Sequence, residues 1–381
     1  MIFGRMSAVC SIHWVPDLGT VHIFCCVRTG KPLVSGALSD PRSMAKANQP
    51  VGITGLGKYL PVRCLSNDDL SRMVEISDEW IHSRTGIRNR RIAAAGEATS
   101  DMAVAAARAA MVDAGRVAED VDLLVVATMT PDQPTPSTAT LVQHKLGLHP
   151  VPAFDIAAAC SGFVYGLETV AALVAAGRYR CALLVGAEKM SSIIDWEDRS
   201  TCVLFGDGAA AAVIEPCTQA TRFEVVDSLL RADGRCADWL HVPAGGSALP
   251  PSAETVSGGL HAIRMNGREV FKGAIREMEH VALELLERNG IGPEHLACVV
   301  PHQANVRILE ALAGRLEITR ERMFVNIDET GNTSAASIPL ALIDAHAQGC
   351  FNGSGYVLLV AFGAGLTWGA SLLRIHEPVL R

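Results

Sequence analysis

The stretch AFDIAAACSGFVYGL, residues 153–167, sets the expected fold because it joins an apolar strand to a helix through a run of small residues. The helix is predicted to begin at Cys160 and to stop at Gly177, since glycine commonly ends a helix. A thiol at a helix N-terminus lies beside unpaired backbone N–H groups that stabilise its thiolate. We therefore expect Cys160 to ionise readily and to be a candidate nucleophile, although cysteines in apolar runs are more often packing residues.

A second stretch, FVNIDETGNTSAA at residues 324–336, shows the same order of strand, tight connection and helix start. Two more pairs of segments match in the same order, namely VDLLVVATMTP (121–131) with LACVVPHQAN (296–305) and FGDGAAAAVI (205–214) with FGAGLTWGASLL (362–373). Apolar runs alternate with helical patterns, which is typical of an α/β protein. We predict two similar βαβ-rich halves, residues 50–217 and 218–381, with Cys160 and Asn332 at equivalent strand-to-helix junctions.

The composition favours a large aliphatic core and argues against a nucleic-acid or anionic-membrane partner. The chain has 381 residues, 49% hydrophobic, and a formal net charge of −7, so any basic site is local. The eleven cysteines are scattered without a C-x-x-C pair, so the sequence indicates neither a disulfide framework nor a zinc site. This cysteine pattern makes a reducing cytoplasm the expected location. No apolar run approaches the ~20 residues that cross a bilayer.

The first 49 residues differ from the rest of the chain. Short apolar pieces such as VHIFCCV are mixed with charges and with the Pro/Ser-containing GKPLVSGALSDPRS, and Asp17 interrupts what would be the core of a signal peptide. We predict that residues 1–49 form a disordered leader outside the fold and that Met44 opens the domain.

Two polar clusters in the second half are the other candidates for chemistry. VVPHQANVRIL places His302 at the end of an apolar strand, and ETGNTSAAS places Asn332 before a helix. Taken alone, the histidine fits a hydrogen-bonded core residue and the asparagine a helix cap. Taken with Cys160, they supply a nucleophile and two neutral donors, a set that suits acyl transfer to sulfur and stabilisation of an enolate.

Papain-like proteases share the order Cys, His, Asn, with the histidine about 130–150 residues after the cysteine. Here 142 residues separate Cys160 from His302. The flanks argue against a protease, because no C-G-S-C-W-type signature surrounds Cys160, which lies deep in a doubled α/β chain.

From about Val51 to its end the chain contains, in order, the motifs SDEWIHSRTGIRNRRIA, DIAAACSGFVYGL, FGDGAAAAV, MNGREVFK, VPHQANVRI, GNTSAAS and AFGAGLTWGA. Together these motifs closely resemble the β-ketoacyl-acyl-carrier-protein synthase III family, the initiating condensing enzymes of type II fatty acid synthesis. The resemblance implies a thiolase-like fold, with two βαβαβαββ halves in αβαβα layers, and a homodimer. It implies no cofactor, since acyl-CoA and malonyl-acyl-carrier protein are substrates.

The resemblance also implies a ping-pong reaction. Acyl-CoA acylates Cys160, and malonyl-acyl-carrier protein then loses CO2 and attacks the thioester. By position, His302 and Asn332 hold the malonyl thioester oxygen, and Phe362 helps to guide decarboxylation. The backbone N–H groups of Cys160 and Ala364 form the other oxyanion hole. Many members have glycine at position 364, a departure that is harmless if φ there is negative.

Further roles follow from the resemblance alone. Trp80 and Arg199 are expected to stack around the adenine of CoA, a use that suits aromatic and guanidinium planes, although Trp80 also fits a helix anchor. Arg84 would lie near the phosphates, and Asn305 and Gly267 beside the pantetheine arm. The acidic carrier protein would dock on three basic residues, each of which alone also fits an ordinary solvated charge: Lys272, Arg307 and Arg315.

Two features bear on the subclass. Asn332 stands where elongating ketosynthases use a second histidine and thiolases a second cysteine, which favours the priming class. Thr135 falls where some relatives carry a phenylalanine that closes the acyl pocket, so we expect tolerance of branched or longer primers. The alternatives are a starter-unit ketosynthase of a secondary, polyketide-like pathway and a non-catalytic binder of acyl-CoA or carrier protein with the same fold.

Overall fold

The computed structural model describes residues 9–15, 20–26, 49–351 and 353–376. The strands are β1 (Val9–Val15), β2 (Thr20–Cys26), β3 (Val51–Tyr59), β4 (Arg63–Ser66), β5 (Asn89–Ile92), β6 (Leu123–Ala127), β7 (Ala153–Ile156), β8 (Ala182–Glu188), β9 (Gly208–Pro216), β10 (Phe223–Ala232), β11 (Leu240–His241), β12 (Arg264–Met265), β13 (Leu296–Pro301), β14 (Tyr356–Gly363) and β15 (Thr367–Ile375).

The helices are α1 (Asn67–Ser71), α2 (Asp78–Thr85), α3 (Thr99–Ala114), α4 (Thr138–Leu146), α5 (Gly162–Ala175), α6 (Ala253–Ser257), α7 (Gly267–Arg288), α8 (Val306–Arg315), α9 (Ile327–Thr330) and α10 (Ser337–Ala347). The predicted caps are confirmed for α1 and α2, where the hydroxyls of Ser66 and Ser77 accept the first-turn N–H groups. Helix α3 ends at Gly115 as predicted, with φ of 65°.

Nine strands form one sheet in the order β13-β14-β15-β10-β3-β9-β8-β6-β7. The two halves of this order join where β10 pairs with β3 over only two residue pairs. In the first half the elements run β3-α3-β6-α4-β7-α5-β8-β9, which is the expected βαβαβαββ order. The second half repeats the arrangement, except that its third strand is reduced to a single parallel bridge between Val299 and Met323. The predicted strand at the start of FVNIDETG is therefore wrong, because helix α9 begins at Ile327.

Three large apolar clusters define the layers. Helices α5 and α10 share one cluster with strands of both halves, so they lie between the two sheet portions. Helix α3 packs on the outer side of the first half, with β6, β8 and β9. Helices α7 and α8 pack on the outer side of the second half. This is the αβαβα arrangement, and the expected fold class is confirmed.

The middle layer brings two matching junctions together. Residues Ala159–Ser161 and Ser334–Ala336 each form a 3₁₀ turn that leads into a central helix, and Ala159 and Ser334 both have φ of 48°. Such a φ is uncommon for a residue other than glycine and marks a shared backbone geometry. The residue equivalent to Cys160 is therefore Ala335, and the predicted equivalence of Cys160 and Asn332 is wrong by three residues.

Strands β1 and β2 pair antiparallel, and residues Met1–Ala47 form a unit separate from Asn48–Arg381. These strands differ from the disorder expected for residues 1–49, whereas the remaining leader residues before Gln49, Met44 among them, lie outside the described residues. The domain boundaries at 49/50 and 217/218 stay a prediction.

Candidate active site

One cavity of about 100 Å³ collects the predicted catalytic side chains from both halves. Its lining consists of Cys160, Leu204, Phe205, Leu240, Met265, Gly267, Val270, Phe271, Ala274, Met278, His302, Ala304, Asn305, Ile308, Asn332, Phe362 and Gly363. A mostly apolar wall with a few convergent polar groups is the usual form of a small-molecule site. The first half contributes Cys160, and the second contributes His302 and Asn332.

Cys160 lies in the middle of the 3₁₀ turn that precedes α5 and is 8% exposed. Gly363, the last residue of β14, packs directly on it, since a Cβ at that position would come within 2.7 Å of the Cys160 amide nitrogen. Burial raises the pKa of the Cys160 thiol to about 12, and a hydrogen bond with the Ser334 hydroxyl opposes this rise. The prediction of a readily ionised thiol is therefore wrong for the free pocket, because removal from water outweighs the helix N-terminus.

His302 follows β13 and is held by its backbone N–H, which donates to the carbonyl of Val360 at 2.8 Å. Burial lowers the pKa of His302 to about 3, so the imidazole is neutral at physiological pH. Its Nδ1 is buried, and no group among residues 49–351 and 353–376 hydrogen-bonds to it. A buried polar atom without a partner is one that a bound ligand or water satisfies.

Asn332 is fixed at both its backbone and its side chain. Its N–H donates to Leu204 O at 2.8 Å, and its carbonyl accepts from Gly206 N at 3.0 Å. Its Oδ1 accepts from the backbone N–H of Ser334 at 2.9 Å. The preceding Gly331 has φ of 63° and ψ of −164°, a backbone conformation that favours glycine because other residues rarely adopt it. With Oδ1 occupied, the carboxamide offers its N–H₂ donors for other partners.

Phe362 and Ala364, which were predicted to support decarboxylation and the oxyanion hole, differ in their position relative to the cavity. Phe362 is buried and lines the cavity, as expected of a residue beside the cysteine. Ala364 is half-buried and does not line it, although it follows Gly363 directly. Alanine is accommodated here because Ala364 is not among the residues with positive φ.

The predicted CoA residues are only partly brought together. Gly267 and Asn305 line the cavity, and Asn305 Nδ2 donates to the carbonyl of Arg84 at 3.0 Å, which ties helix α2 to the pocket. On that helix the Arg84 guanidinium lies 4.6 Å from the centre of the Trp80 ring, a cation–π arrangement. Arg199 lies apart from the cavity lining, on an exposed turn.

The predicted docking residues are exposed, but each is engaged within the chain. Lys272 Nζ lies 3.3 Å from Glu269 Oε1, and Arg315 Nη1 lies 2.8 Å from Glu279 Oε2. Arg307 Nη2 donates to the backbone carbonyl of Ser83 at 3.2 Å. Such surface contacts contribute little stability, and the docking role of the three residues stays a prediction.

Thr135 lies outside the cavity in this chain. It belongs to an exposed segment between β6 and α4 and is absent from the lining residues. The resemblance alone placed Thr135 at the acyl pocket, and its role there stays a prediction.

Sequence reasoning missed Glu188 and Ser334, which link the turns around Cys160 and Asn332. Glu188 is the last residue of β8 and is fully buried, and its Oε1 accepts from the Ser334 hydroxyl at 2.9 Å. The sequence did contain a signal for Glu188, because an acidic residue ends the otherwise apolar run CALLVGAE.

Among the described residues, none of the helices has both the length and the apolar composition that a membrane span requires.

Comparisons with known proteins agree with this geometry. The family model described as 3-oxoacyl-[acyl-carrier-protein] synthase III matches residues 154–234, and the model of its C-terminal part matches residues 286–375. The curated β-ketoacyl-[acyl-carrier-protein] synthase III of Symbiobacterium thermophilum is 51% identical over 326 residues, which covers 86% of this chain and 98% of the relative.

Solved structures give the same result. The 3-oxoacyl-[acyl-carrier-protein] synthase III of Aquifex aeolicus superposes with a TM-score of 0.78 at 46% identity, covering 85% of this chain and 99% of the other. The priming β-ketosynthase of the R1128 polyketide pathway superposes with a TM-score of 0.79 at 36% identity, covering 87% and 98%. By sequence, by fold and by the residues of its motifs that line one cavity, this chain belongs to the β-ketoacyl-acyl-carrier-protein synthase III family.

Proposed function

We propose that the protein primes fatty acid synthesis by condensing an acyl-CoA with malonyl-acyl-carrier protein through an acyl-Cys160 thioester. Family membership makes it a condensing acyltransferase of the initiating step. The observation that carries the residue assignment is that Cys160, His302 and Asn332, from two different halves, line one cavity.

The proposed reaction has two halves. In the first, the sulfur of Cys160 attacks the acyl-CoA carbonyl, the bond to CoA breaks, and free CoA thiol leaves. In the second, the malonyl thioester loses CO2, and the electron pair of the broken C–C bond forms an enolate. The enolate carbon attacks the acyl-Cys160 carbonyl, and the departing thiolate takes up a proton. The products are 3-oxoacyl-acyl-carrier protein, CO2 and free enzyme.

The site chemistry supports His302 and Asn332 as donors to the enolate oxygen. A neutral imidazole offers an N–H without the charge that burial would penalise, and burial lowers the pKa of His302 to about 3. The carboxamide of Asn332 adds an N–H, because its oxygen is already bonded to Ser334. Donors fixed in advance around a developing oxyanion are the largest contributors to this kind of catalysis.

Mass spectrometry tests the first half of the proposal. Incubation with acetyl-CoA is expected to add one acetyl group to the wild type on the peptide that contains Cys160, and Cys160→Ala is expected to stay unmodified. Adding malonyl-acyl-carrier protein is then expected to remove the acetyl group and release 3-oxoacyl-acyl-carrier protein. A wild type that binds acetyl-CoA without forming the adduct contradicts the proposal and favours a non-catalytic binder.

A starter-unit ketosynthase of a secondary pathway is the second candidate, and the similarity to the R1128 priming ketosynthase favours it. Carrier-protein preference separates the two. A primary enzyme is expected to use the carrier protein of fatty acid synthesis with higher kcat/KM than a polyketide carrier protein, and the reverse ranking supports the second candidate.

We also propose that the enzyme accepts branched or longer primers. The support is the resemblance, which places Thr135 where some relatives carry a phenylalanine that closes the acyl pocket, and not the cavity of this chain, which Thr135 does not line. A panel of acetyl-, isobutyryl- and hexanoyl-CoA tests this, and turnover of acetyl-CoA alone contradicts it.

We further propose that two copies form a homodimer along β7. This strand is the last of the sheet, so its outer backbone groups have no partner strand within the described residues, and Phe154 on it is 36% exposed.

A further inference from the structure

The threonine that begins β15 ties the turn of Cys160 to the turn that follows β14. The hydroxyl of Thr367 donates to the carbonyl of Ala158 at 2.9 Å and also lies 3.1 Å from the carbonyl of Ala364. The contact with Ala364 is a local one, because the two residues are three apart and such contacts are common in turns. The contact with Ala158 joins residues 209 positions apart, from the second half to the first, and is therefore a tertiary tie.

The turn before α5 has a backbone that depends on contacts from outside. Ala159 has φ of 48°, which is uncommon for a residue other than glycine, and such a conformation persists where the surrounding structure holds it. The carbonyl of Ala158 closes this turn by accepting the N–H of Ser161 at 3.1 Å. Thr367 therefore contacts the turn at the atom that closes it. Gly363, at the end of β14, packs against the same turn.

Each carbonyl that Thr367 contacts lies one peptide unit from an N–H that the resemblance assigns to an oxyanion hole. The N–H of Cys160 belongs to the peptide after the carbonyl of Ala158, and the N–H of Ala364 belongs to the peptide before its own carbonyl. When sulfur attacks a thioester carbonyl, negative charge develops on the oxygen, and two donors stabilise it best when both are aimed at that position in advance. A β-branched side chain has few rotamers, so the Thr367 hydroxyl is a stiff spacer between the two turns.

We propose that Thr367 is a positioning residue: its hydroxyl bridges the two turns and sets the N–H groups of Cys160 and Ala364 at the spacing that a thioester oxygen requires. The use of these N–H groups rests on the proposed function, whereas the bridge itself does not. Thr367 is not among the residues that line the cavity, so it acts through the backbone of the two turns.

The test compares two reactions of the same sulfur. Acetylation by acetyl-CoA passes through an oxyanion, whereas alkylation by iodoacetamide displaces iodide from a saturated carbon and needs no oxyanion hole. Thr367→Val removes the hydroxyl and keeps the shape of the side chain. At saturating acetyl-CoA it is expected to slow acetylation of Cys160 by at least about tenfold, and to keep the half-saturating concentration and the alkylation rate within about threefold of wild type. Unchanged acetylation, or equal slowing of both reactions, overturns the proposal.

The extent of acetylation separates positioning from loss of the fold. A partly unfolded variant acetylates a smaller fraction of its molecules at the wild-type rate, whereas a mispositioned one acetylates fully but slowly. Thr367→Val is expected to fold, because the hydroxyl of Ser161 donates to the backbone carbonyl of Thr367 at 3.0 Å and the carbonyl of Ala158 keeps its bond to the Ser161 N–H. A reduced extent at the wild-type rate contradicts the proposal.

A conservative variant and a matched control isolate the hydroxyl. Thr367→Ser keeps the donor and is expected to acetylate within about threefold of wild type, so a serine variant as slow as the valine variant overturns the proposal. Thr169→Val removes the hydroxyl of another half-buried threonine, which donates to the backbone carbonyl of Tyr165 at 2.8 Å within α5. It is expected to keep both rates within about twofold of wild type, and slowing of acetylation equal to that of Thr367→Val contradicts the proposal.

Amide hydrogen exchange tests the bridge without a substrate. Thr367→Val is expected to speed exchange in the peptide that contains residues 158–162 by at least about threefold, and Thr367→Ser to leave it near wild type. A wild type that forms no acetyl adduct contradicts the proposed function. In that case faster exchange in the valine variant still supports the bridge, and unchanged exchange overturns it.

Discussion

At the scale of single residues, burial decides the charge of the two groups that matter most. It raises the pKa of Cys160 to about 12 and lowers that of His302 to about 3, so both are neutral at pH 7. The sequence predicted both residues as candidates and expected the thiol to ionise readily, whereas burial raises the pKa of that thiol. A run of small residues before a helix predicts the position of the sulfur, whereas the loss of solvent depends on contacts that only the folded halves create.

The lowered pKa of His302 predicts acid sensitivity. Between its unfolded pKa of ~6.5 and its folded pKa of about 3, the unfolded chain binds the extra proton, so the free energy of unfolding falls as the pH falls. Urea unfolding at pH 6 and pH 4 is expected to show that the wild type loses about 2–3 kcal/mol more than His302→Asn.

The difference between the wild type and His302→Asn isolates the effect of His302 on the free energy of unfolding, because the other titrating groups are the same in both proteins. Glu188 and Asp207 have pKa values raised by burial, which act with the opposite sign, because the folded state then binds the proton more tightly. They are present in both proteins and cancel in the difference. Equal losses of unfolding free energy in the two proteins would mean that His302 is protonated in the folded state at pH 4.

At the scale of elements, the site depends on the close approach of the end of β14 to the turn before α5. Gly363→Ala would place a methyl group 2.7 Å from the Cys160 amide nitrogen, so the turn must move. We expect a loss of about 1–3 kcal/mol in the free energy of unfolding and acetylation of Cys160 at least about tenfold slower. Thermal melting and the rate of acetyl-adduct formation measure the two effects.

Gly314→Ala is the matched control. This glycine lies near the end of α8, and no atom lies within 4 Å of the methyl group that would be added. Replacing it is expected to stabilise the protein by about 0.5–1 kcal/mol, because alanine loses less backbone freedom than glycine in a helix, and to leave acetylation unchanged. Acetylation by Gly363→Ala at the rate of this control would show that the contact with the turn does not constrain the nucleophile.

Strands β6 and β8 show where the hydrophobic pattern of the sequence predicted the structure correctly. The apolar runs at β6 and β8 are buried along their whole length, as predicted for strands covered on both faces. The repeat was aligned three residues out of register, because Cys160 and Asn332 were matched by chemistry, whereas the halves correspond through the backbone at Ala159 and Ser334. The conformation of a tight turn is hard to predict from residue identity. Glu188 was missed because its partners come from two segments far apart in the chain, Thr128–Thr130 and Ser334.

At the scale of the whole molecule, the proposed dimer has a direct test. Phe154 lies on the terminal strand β7, where a second copy could continue the sheet, and a charge there would be buried on association. Light scattering is expected to find a dimer for the wild type and a monomer for Phe154→Asp.

Val112→Asp serves as its control, since this residue is an exposed hydrophobe, 79% accessible, on α3. It is expected to remain dimeric. A monomeric wild type, or a dimeric Phe154→Asp, would exclude an assembly through this strand.

The paired turns at Ala159–Ser161 and Ser334–Ala336 show that the two halves repeat one backbone geometry. The backbone is doubled, but the polar side chains of the cavity are not: one half contributes the thiol of Cys160, and the other contributes the imidazole of His302 and the carboxamide of Asn332. Under the proposed function, neither half is expected to catalyse the reaction by itself. A short link between β9 and β10 joins the two halves in one chain. Each molecule of the protein therefore contains the cysteine of the first half together with the histidine and the asparagine of the second.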